Sequence, residues 1–246
     1  MANQKKVLVT GATRGMGKEI SRVLAEKGHH VILGARSLQD GQSIVKELES
    51  KGLSVSTVQL DVTDINSVQN AVQEINALDI LINNAGIALE ASSPSKLDVT
   101  KVKNEFDVNV FGVINVTSAI LPLLQKEKEA KIINMSSMMG SLNSALDKDS
   151  IVYGASVAGY QSSKAALNMY SIQLSKELEK EGYDISIDLV DPGMVATEFG
   201  GLDPETAKKM GGRSVDEGIK RVIELVEQDK INKNITFTNN DGVVPW

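Results

Sequence analysis

"VTGATRGMG" (residues 9–17) places Gly11, Gly15 and Gly17 between the end of an apolar run and the start of a helical pattern. Glycine tolerates positive φ and lets a ligand approach the backbone closely. A helix that begins there aims free N–H groups and partial positive charge at whatever lies in front of it. A pyrophosphate satisfies both features. A turn that needs glycine for sterics alone has the same composition. The position of the cluster, opening the first strand–helix unit, argues for the ligand. The spacing is T-G-x-x-x-G-x-G, which differs from the common G-x-G-x-x-G.

Outward from this turn, short β-branched runs alternate with longer helical patterns. The strands read as "KVLVT" (6–10), "VILGA" (31–35), "SVSTVQLD" (54–61), "LDILINNAG" (78–86), "KIINMSS" (131–137), "ISIDLVDPG" (185–193) and "NITFT" (234–238). Helical patterns cover 15–28, 38–51, Asp64 to about Asn76, 99–127, 157–181 and 215–228. Alternation at this spacing predicts one α/β domain over 1–246, a doubly wound parallel sheet of Rossmann type with helices on both faces. Ligands of such sheets bind beyond the carboxyl ends of the strands. Every motif that carries chemistry here falls at such an end or on the following helix.

The remaining composition narrows the function. The chain has 246 residues, 41% of them hydrophobic, and a net charge of −6. No basic stripe for nucleic acid is visible. There is no cysteine, which excludes disulfides and thiolate chemistry and fits a reducing, cytoplasmic setting. "MANQKK" runs straight into the first strand, so no signal peptide is expected. No apolar run is read as a membrane span. The two histidines, His29 and His30, are expected at an exposed turn after the first helix, and no metal site is expected.

With the glycine turn in place, four stretches together resemble the short-chain dehydrogenase/reductase family: "TGATRGMG" (10–17), "NNAG" (83–86), "YQSSK" (160–164) and "PGMVAT" (192–197). The resemblance covers nearly the whole chain. It implies that Gly11, Thr13, Arg14, Gly15, Met16 and Gly17, with Asn84, Ala85 and Gly86, hold a nicotinamide dinucleotide. Pro192, Gly193, Val195 and Thr197 would hold it from the other side, and Asp61 and Val62 would contact the adenine.

Two tyrosines lie close together, Tyr153 and Tyr160. A phenol acting near neutral pH must overcome a pKa of about 10, and a nearby ammonium helps it. Tyr160 has Lys164 at i+4, on the same helical face, whereas Tyr153 has Val157. The chemistry is therefore read at Tyr160. The resemblance implies that Tyr160 exchanges a proton with the substrate oxygen, and that Lys164 holds the ribose and lowers the phenol pKa. It implies Ser137, second of the pair Ser136–Ser137, as the residue that orients that oxygen. Adjacent strand residues face opposite ways, which leaves Ser136 to packing. It further implies Asn109, in "FDVNVFG", as support for a relay water.

Ser137 and Tyr160 are 23 positions apart, well beyond the spacing of common members. The stretch "LNSALDKDSIVYGASVAG" (142–159) resembles the insertion of the carbonyl-reductase and sniffer-like branch. The chain passes quickly from "PGMVATEFGG" to "RSVDEGIKRVIELV", leaving little room for a substrate lid. Met138, Met139, Val152 and Tyr153 are candidate pocket walls, with a core role equally open to each. After the second strand, "VILGARS" has Ala35 where NAD enzymes of this architecture carry an acid, followed by Arg36 and Ser37. Two guanidinium groups, Arg14 and Arg36, near a ribose favour a 2′-phosphate, hence NADP(H).

The sequence thus reads as an NADPH-dependent carbonyl reductase acting on a small ketone or aldehyde. The rivals are a same-fold enzyme of another substrate class, such as 3-oxoacyl-carrier-protein reduction or polyol oxidation, and a non-catalytic NADP(H) sensor. The resemblance implies pairing into homodimers or homotetramers through the two long helices, with a monomer left open.

Overall fold

In the computed structural model, which describes residues 4–229 and 232–246, eight strands form one sheet in the order β3-β2-β1-β4-β5-β6-β7-β8. They are β1 Lys6–Thr10, β2 His30–Ala35, β3 Val55–Gln59, β4 Ile80–Asn83, β5 Ala130–Met135, β6 Ile185–Val190, β7 Thr236–Asn239 and β8 Gly242–Val243. All neighbours pair in parallel except β7 and β8. The helices are α1 Gly15–Glu26, α2 Leu38–Glu49, α3 Ile65–Glu74, α4 Val99–Phe106, α5 Val113–Leu124, α6 Leu142–Leu146, α7 Ala158–Glu181, α8 Pro204–Lys209 and α9 Val215–Glu227. The doubly wound class read from the sequence is therefore the observed one.

The strands read as unbroken apolar runs because both faces are covered. Alternate residues serve opposite cores. Val7, Val9, Ile80, Ile82 and Ile133 pack with Ile20 and Leu24 of α1, Leu48 of α2 and Val222 of α9. Leu8, Leu81 and Ile132 pack on the other face with Val68 of α3, Ile120 of α5 and Leu178 of α7. Fully burying one such side chain contributes about 1.5–3 kcal/mol. These two cores hold the strand ends, and therefore the site, in fixed register. The sheet reverses its order of connection between β1 and β4, where such folds bind their ligands.

Several expectations change. The helical pattern at 99–127 is not one α-helix: a π-helical segment, Asp107–Gly112, joins α4 to α5. Such segments insert one residue per turn and gather at functional sites. The stretch Val99–Leu124 is long and apolar enough to cross a membrane by length and composition alone, contrary to the sequence reading. Its second half buries Val116, Ile120 and Leu124 in the sheet's own core. The histidines are not at an exposed turn. His29 is buried, with Nδ1 accepting the Lys5 main-chain N–H and Nε2 2.7 Å from Glu227, and His30 opens β2. The short helices α6 and α8 and the strand β8 were not anticipated. Residues 1–3, on which the leader reading rested, lie outside the described residues.

Candidate functional site

The turn after β1 is built for something other than side chains. Gly11 has φ +65°, a conformation that favours glycine. A Cβ on Gly17 would collide with the Gly11 carbonyl oxygen and with Asn84 Nδ2. Arg14 stands at the N-cap of α1 without making a side-chain cap, and the first turn carries no acid. By contrast α2, α3 and α4 are capped by Ser37, Asp64 and Asp98. An uncapped helix start behind a glycine cradle has free N–H donors and partial positive charge, which fits a pyrophosphate.

The flanking residues converge on this cradle. Asn84 Nδ2 donates to the carbonyls of Thr10 and Gly11, and the Asn84 and Ala85 N–H groups donate to Thr10 Oγ1. Thr197 Cγ2 lies 3.7 Å from where a Gly15 Cβ would stand, which brings the segment 192–197 over the turn. Gly193, with φ +71°, donates its N–H to Asp191 Oδ1. Val195 bridges to Arg213. Thr13 and Met16 are half-buried in the turn. Val62 is buried, and Asp61 Oδ1 accepts from both the N–H and the hydroxyl of Thr63.

Arg36 is exposed just past β2, and no carboxylate among the described residues pairs with its side chain. Arg14 differs, since its Nη1 lies 3.2 Å from Glu198 Oε2 in an exposed pair. Such a pair contributes little and yields readily to a stronger anion. Ala35 is buried, with its Cβ against the position of a Cβ on Gly41 of α2.

The second group of residues lies at the ends of β4, β5 and β6. Ser137 stands beside the Tyr160 hydroxyl, and its Oγ accepts the Met139 main-chain N–H at 3.2 Å. Lys164 is buried, one helical turn beyond Tyr160, with Nζ 5.7 Å from the ring centre. A Cβ on Gly86 would stand 3.4 Å from Asn109 Oδ1 and 3.8 Å from Lys164 Nζ, so these three residues meet. Asn109 is fully buried in the π-helical segment. Its Oδ1 accepts the Ile87 N–H, and its Nδ2 donates to the Ile87 carbonyl and to Ser163 Oγ. The adjacent serine faces away: buried Ser136 donates to Asn168 Oδ1 at 2.5 Å.

Burial governs the electrostatics of Tyr160 and Lys164. Burial pushes the Tyr160 hydroxyl above its ordinary value. The neighbouring Ser137 hydroxyl opposes this, and the charges of Asp191 and Glu105 add to it. Lys164 lies close to the ring. Its ammonium donates to the Met135 carbonyl at 2.6 Å, and burial brings its own pKa down to about 8.

Of the suggested pocket walls, Met138 packs against the core formed by Leu167, Leu189 and Phe237. Val152 is buried, while Tyr153 is half exposed. Met139 lines a cleft with Leu142, Ala145 and Gln161 on the outer side of α7. Sequence reasoning missed Phe199, whose ring meets Tyr160 edge-on at 5.7 Å. It also missed buried Asp191 and Glu105, because nothing in their local pattern distinguishes them from surface acids. A second cleft, lined by Lys5, His29, Asp79, Lys131 and Glu227, contains none of these site residues.

Sheet order and glycine turn define a dinucleotide-binding α/β protein. Residues 5–207 match the model of the family described as short chain dehydrogenase, and the chain belongs to that family of oxidoreductases. It is 34% identical over 233 residues to a short-chain dehydrogenase, anuI, of Penicillium roqueforti, covering 90% of this chain and 88% of that one. It is 37% identical over 206 residues to an NADP-dependent 3-hydroxy acid dehydrogenase of Schizosaccharomyces pombe, covering 79% and 73%. Among solved structures, the NADPH-bound carbonyl reductase from chicken fatty liver superposes with a TM-score of 0.84 at 28% identity, covering 99% and 100% of the two chains.

Proposed function

We propose that the chain is an NADPH-dependent carbonyl reductase that converts a small ketone or aldehyde to an alcohol. The observation that carries this reading is the gathering of Tyr160, Lys164, Asn109 and Gly86 in one place, with Ser137 beside the tyrosine hydroxyl. The uncapped start of α1 would hold the pyrophosphate, and exposed Arg36 the 2′-phosphate. The NADP named for the fission-yeast relative and the NADPH named for the chicken structure support the same cofactor. When bound, the reduced nicotinamide supplies the hydride that the carbonyl carbon accepts.

The chain's own residues do the rest. Ser137 Oγ and the Tyr160 hydroxyl both donate toward the substrate oxygen and fix its position. Tyr160 then passes its proton to that oxygen as negative charge develops there. A raised phenol pKa suits this direction, because the donor stays protonated across the working range. Lys164, beside Gly86 and the tyrosine ring, would hold the nicotinamide ribose. Asn109 holds Ile87, and so fixes the segment after β4 that borders the site.

The reverse direction is favoured by one observation, the 37% identity to a 3-hydroxy acid dehydrogenase. One panel decides between them: ketones, aldehydes and 3-oxo acids with NADPH, and 3-hydroxy acids and polyols with NADP⁺, followed by nicotinamide absorbance. Turnover of neutral carbonyl compounds supports the reductase. Turnover of 3-hydroxy acids alone moves the substrate class. No turnover with intact NADPH binding gives a sensor. Exposed Val99 on α4, Phe111 in the π-helical segment and Met169 on α7 support pairing of copies there, which sedimentation would test.

A further inference from the structure

Glu105 is completely buried, and the proposed reaction makes no use of it. It lies on α4, four residues before Asn109. Its Oε1 accepts the main-chain N–H of Leu89 at 2.6 Å and of Glu90 at 3.0 Å. Its Oε2 is buried without any hydrogen-bond partner. A buried carboxylate oxygen left unpaired is costly unless something else compensates it.

The compensation is geometric. Oε2 faces the start of α7, where a Cβ on Gly159 would collide with it and come within 3.0 Å of Val102 Cγ2. Only a residue without a side chain lets α7 cross α4 this closely. The N-cap of α7 is Val157, which makes no side-chain cap, and the first turn contains no acid. The positive end of a long helix therefore meets a buried carboxylate from the neighbouring helix. Tyr160 is the next residue after Gly159. One carboxylate thus holds the segment after β4 with one oxygen and confronts the start of α7 with the other. Asn109 ties the same segment through Ile87.

We infer that Glu105 is a positioning residue: it fixes the start of α7, and with it the Tyr160 hydroxyl, against the segment that follows β4. This rests on the reductase reading above. Its charge has a second effect, since it raises the phenol pKa together with burial and with Asp191 from the end of β6. Lys164 and Ser137 also face the phenol, and buried Glu90 neighbours Glu105.

The test compares Glu105→Gln, Glu105→Ala, Gly159→Ala and the double variant Glu105→Ala/Gly159→Ala with wild type. Glu105→Gln keeps the size and the acceptor for Leu89 and Glu90 but removes the charge. The expected result is a kcat lower by about tenfold, short of the 10²–10⁴ carried by a proton donor itself. The KM for NADPH should change less than about twofold, because the glycine turn is untouched. The alkaline limb of kcat should move to lower pH. The ultraviolet difference titration of Tyr160, assigned by subtracting Tyr160→Phe and read without cofactor or substrate, should move the same way. Gly159→Ala should lower Tm in the wild-type background and much less in the Glu105→Ala background, where the colliding oxygen is gone. Wild-type kcat and an unmoved phenol in Glu105→Gln would overturn the inference. So would a kcat loss that merely follows Tm with the phenol unmoved, or equal Tm losses from Gly159→Ala in both backgrounds. If wild type reduces no carbonyl compound, the reductase reading fails while the titration and the Tm cycle still decide the role of Glu105.

Discussion

Lys164 lies one helical turn beyond Tyr160, yet its ammonium donates to the Met135 carbonyl at 2.6 Å and stands 5.7 Å from the tyrosine ring centre. The pair shares a helical face without sharing a hydrogen bond. Tyr160 keeps a high proton affinity, and Lys164 a low one, from the same cause: both are withdrawn from water.

For Tyr160 this predicts a proton donor, not a resting phenolate. Tyr160→Phe keeps the ring against Phe199 and removes the hydroxyl, so carbonyl reduction should fall by about 10²–10⁴. NADPH binding, measured by fluorescence, should be retained. Tyr153→Phe should alter substrate preference at most, since Tyr153 is half exposed on the insertion. The reverse pattern of activities would remove the assignment.

For Lys164 the consequence is thermodynamic. Its folded pKa, about 8, lies below the ordinary 10.5. Between those values the unfolded chain binds the extra proton, so stability from this group rises with pH from about 8 to 10.5 and is flat below. The full depression corresponds to roughly 3 kcal/mol. Lys164→Met removes the titration. Its Tm relative to wild type should therefore be most favourable at pH 7 and decline toward pH 10. A constant difference across that range would show that Lys164 is not depressed.

The serine pair separates catalysis from packing. Ser137→Ala should lower kcat with little change in Tm, because its hydroxyl meets Tyr160 at the edge of the site. Ser136→Ala strands Asn168 Oδ1 in the core, which costs about 1–3 kcal/mol. For a chain of this size that lowers Tm by about 2–4 °C per kcal/mol. Equal kcat losses with equal Tm values would contradict the opposed facing.

These contrasts show what the sequence makes legible. Apolar runs such as "KVLVT" and the glycine turn are readable because burial on both sheet faces and close backbone approach leave a compositional mark. The opposed serines follow from strand geometry alone. The π-helical segment at Asp107–Gly112 leaves no such mark: one extra residue in a turn keeps the apolar pattern nearly intact. Burial of His29, Glu105 and Asp191 depends on partners far along the chain. Glu227 lies 198 positions from His29, a separation that local pattern cannot encode. The direction taken by Lys164 was hidden for the same reason, since the i+4 rule places a side chain on a face but does not choose among the acceptors there.

Cofactor choice should rest on Arg36. It is exposed just past β2, and no carboxylate among the described residues pairs with it, whereas Arg14 is already engaged with Glu198. Losing a charged partner to a 2′-phosphate costs about 1.5–3 kcal/mol, or roughly ten- to hundredfold in affinity. Arg36→Ala should raise the KM for NADPH by that order and leave NADH nearly unchanged, because NADH has no 2′-phosphate to lose. Arg14→Ala should have the smaller effect, since NADPH must displace Glu198 to use it. An acid introduced at Ala35 would hold a 2′-hydroxyl and repel the phosphate, but Ala35 is buried against Gly41. Ala35→Asp should therefore lower Tm as well as shift the preference, and its kinetics are interpretable only beside its melting curve. Arg36→Asp supplies the same charge at an exposed position. The decisive quantity is the ratio of kcat/KM for NADPH and NADH in wild type, Arg36→Ala and Arg36→Asp. A ratio that falls stepwise through the three identifies Arg36 as the phosphate reader. A ratio unchanged by either variant moves that role to another residue and leaves the assignment of Tyr160 intact.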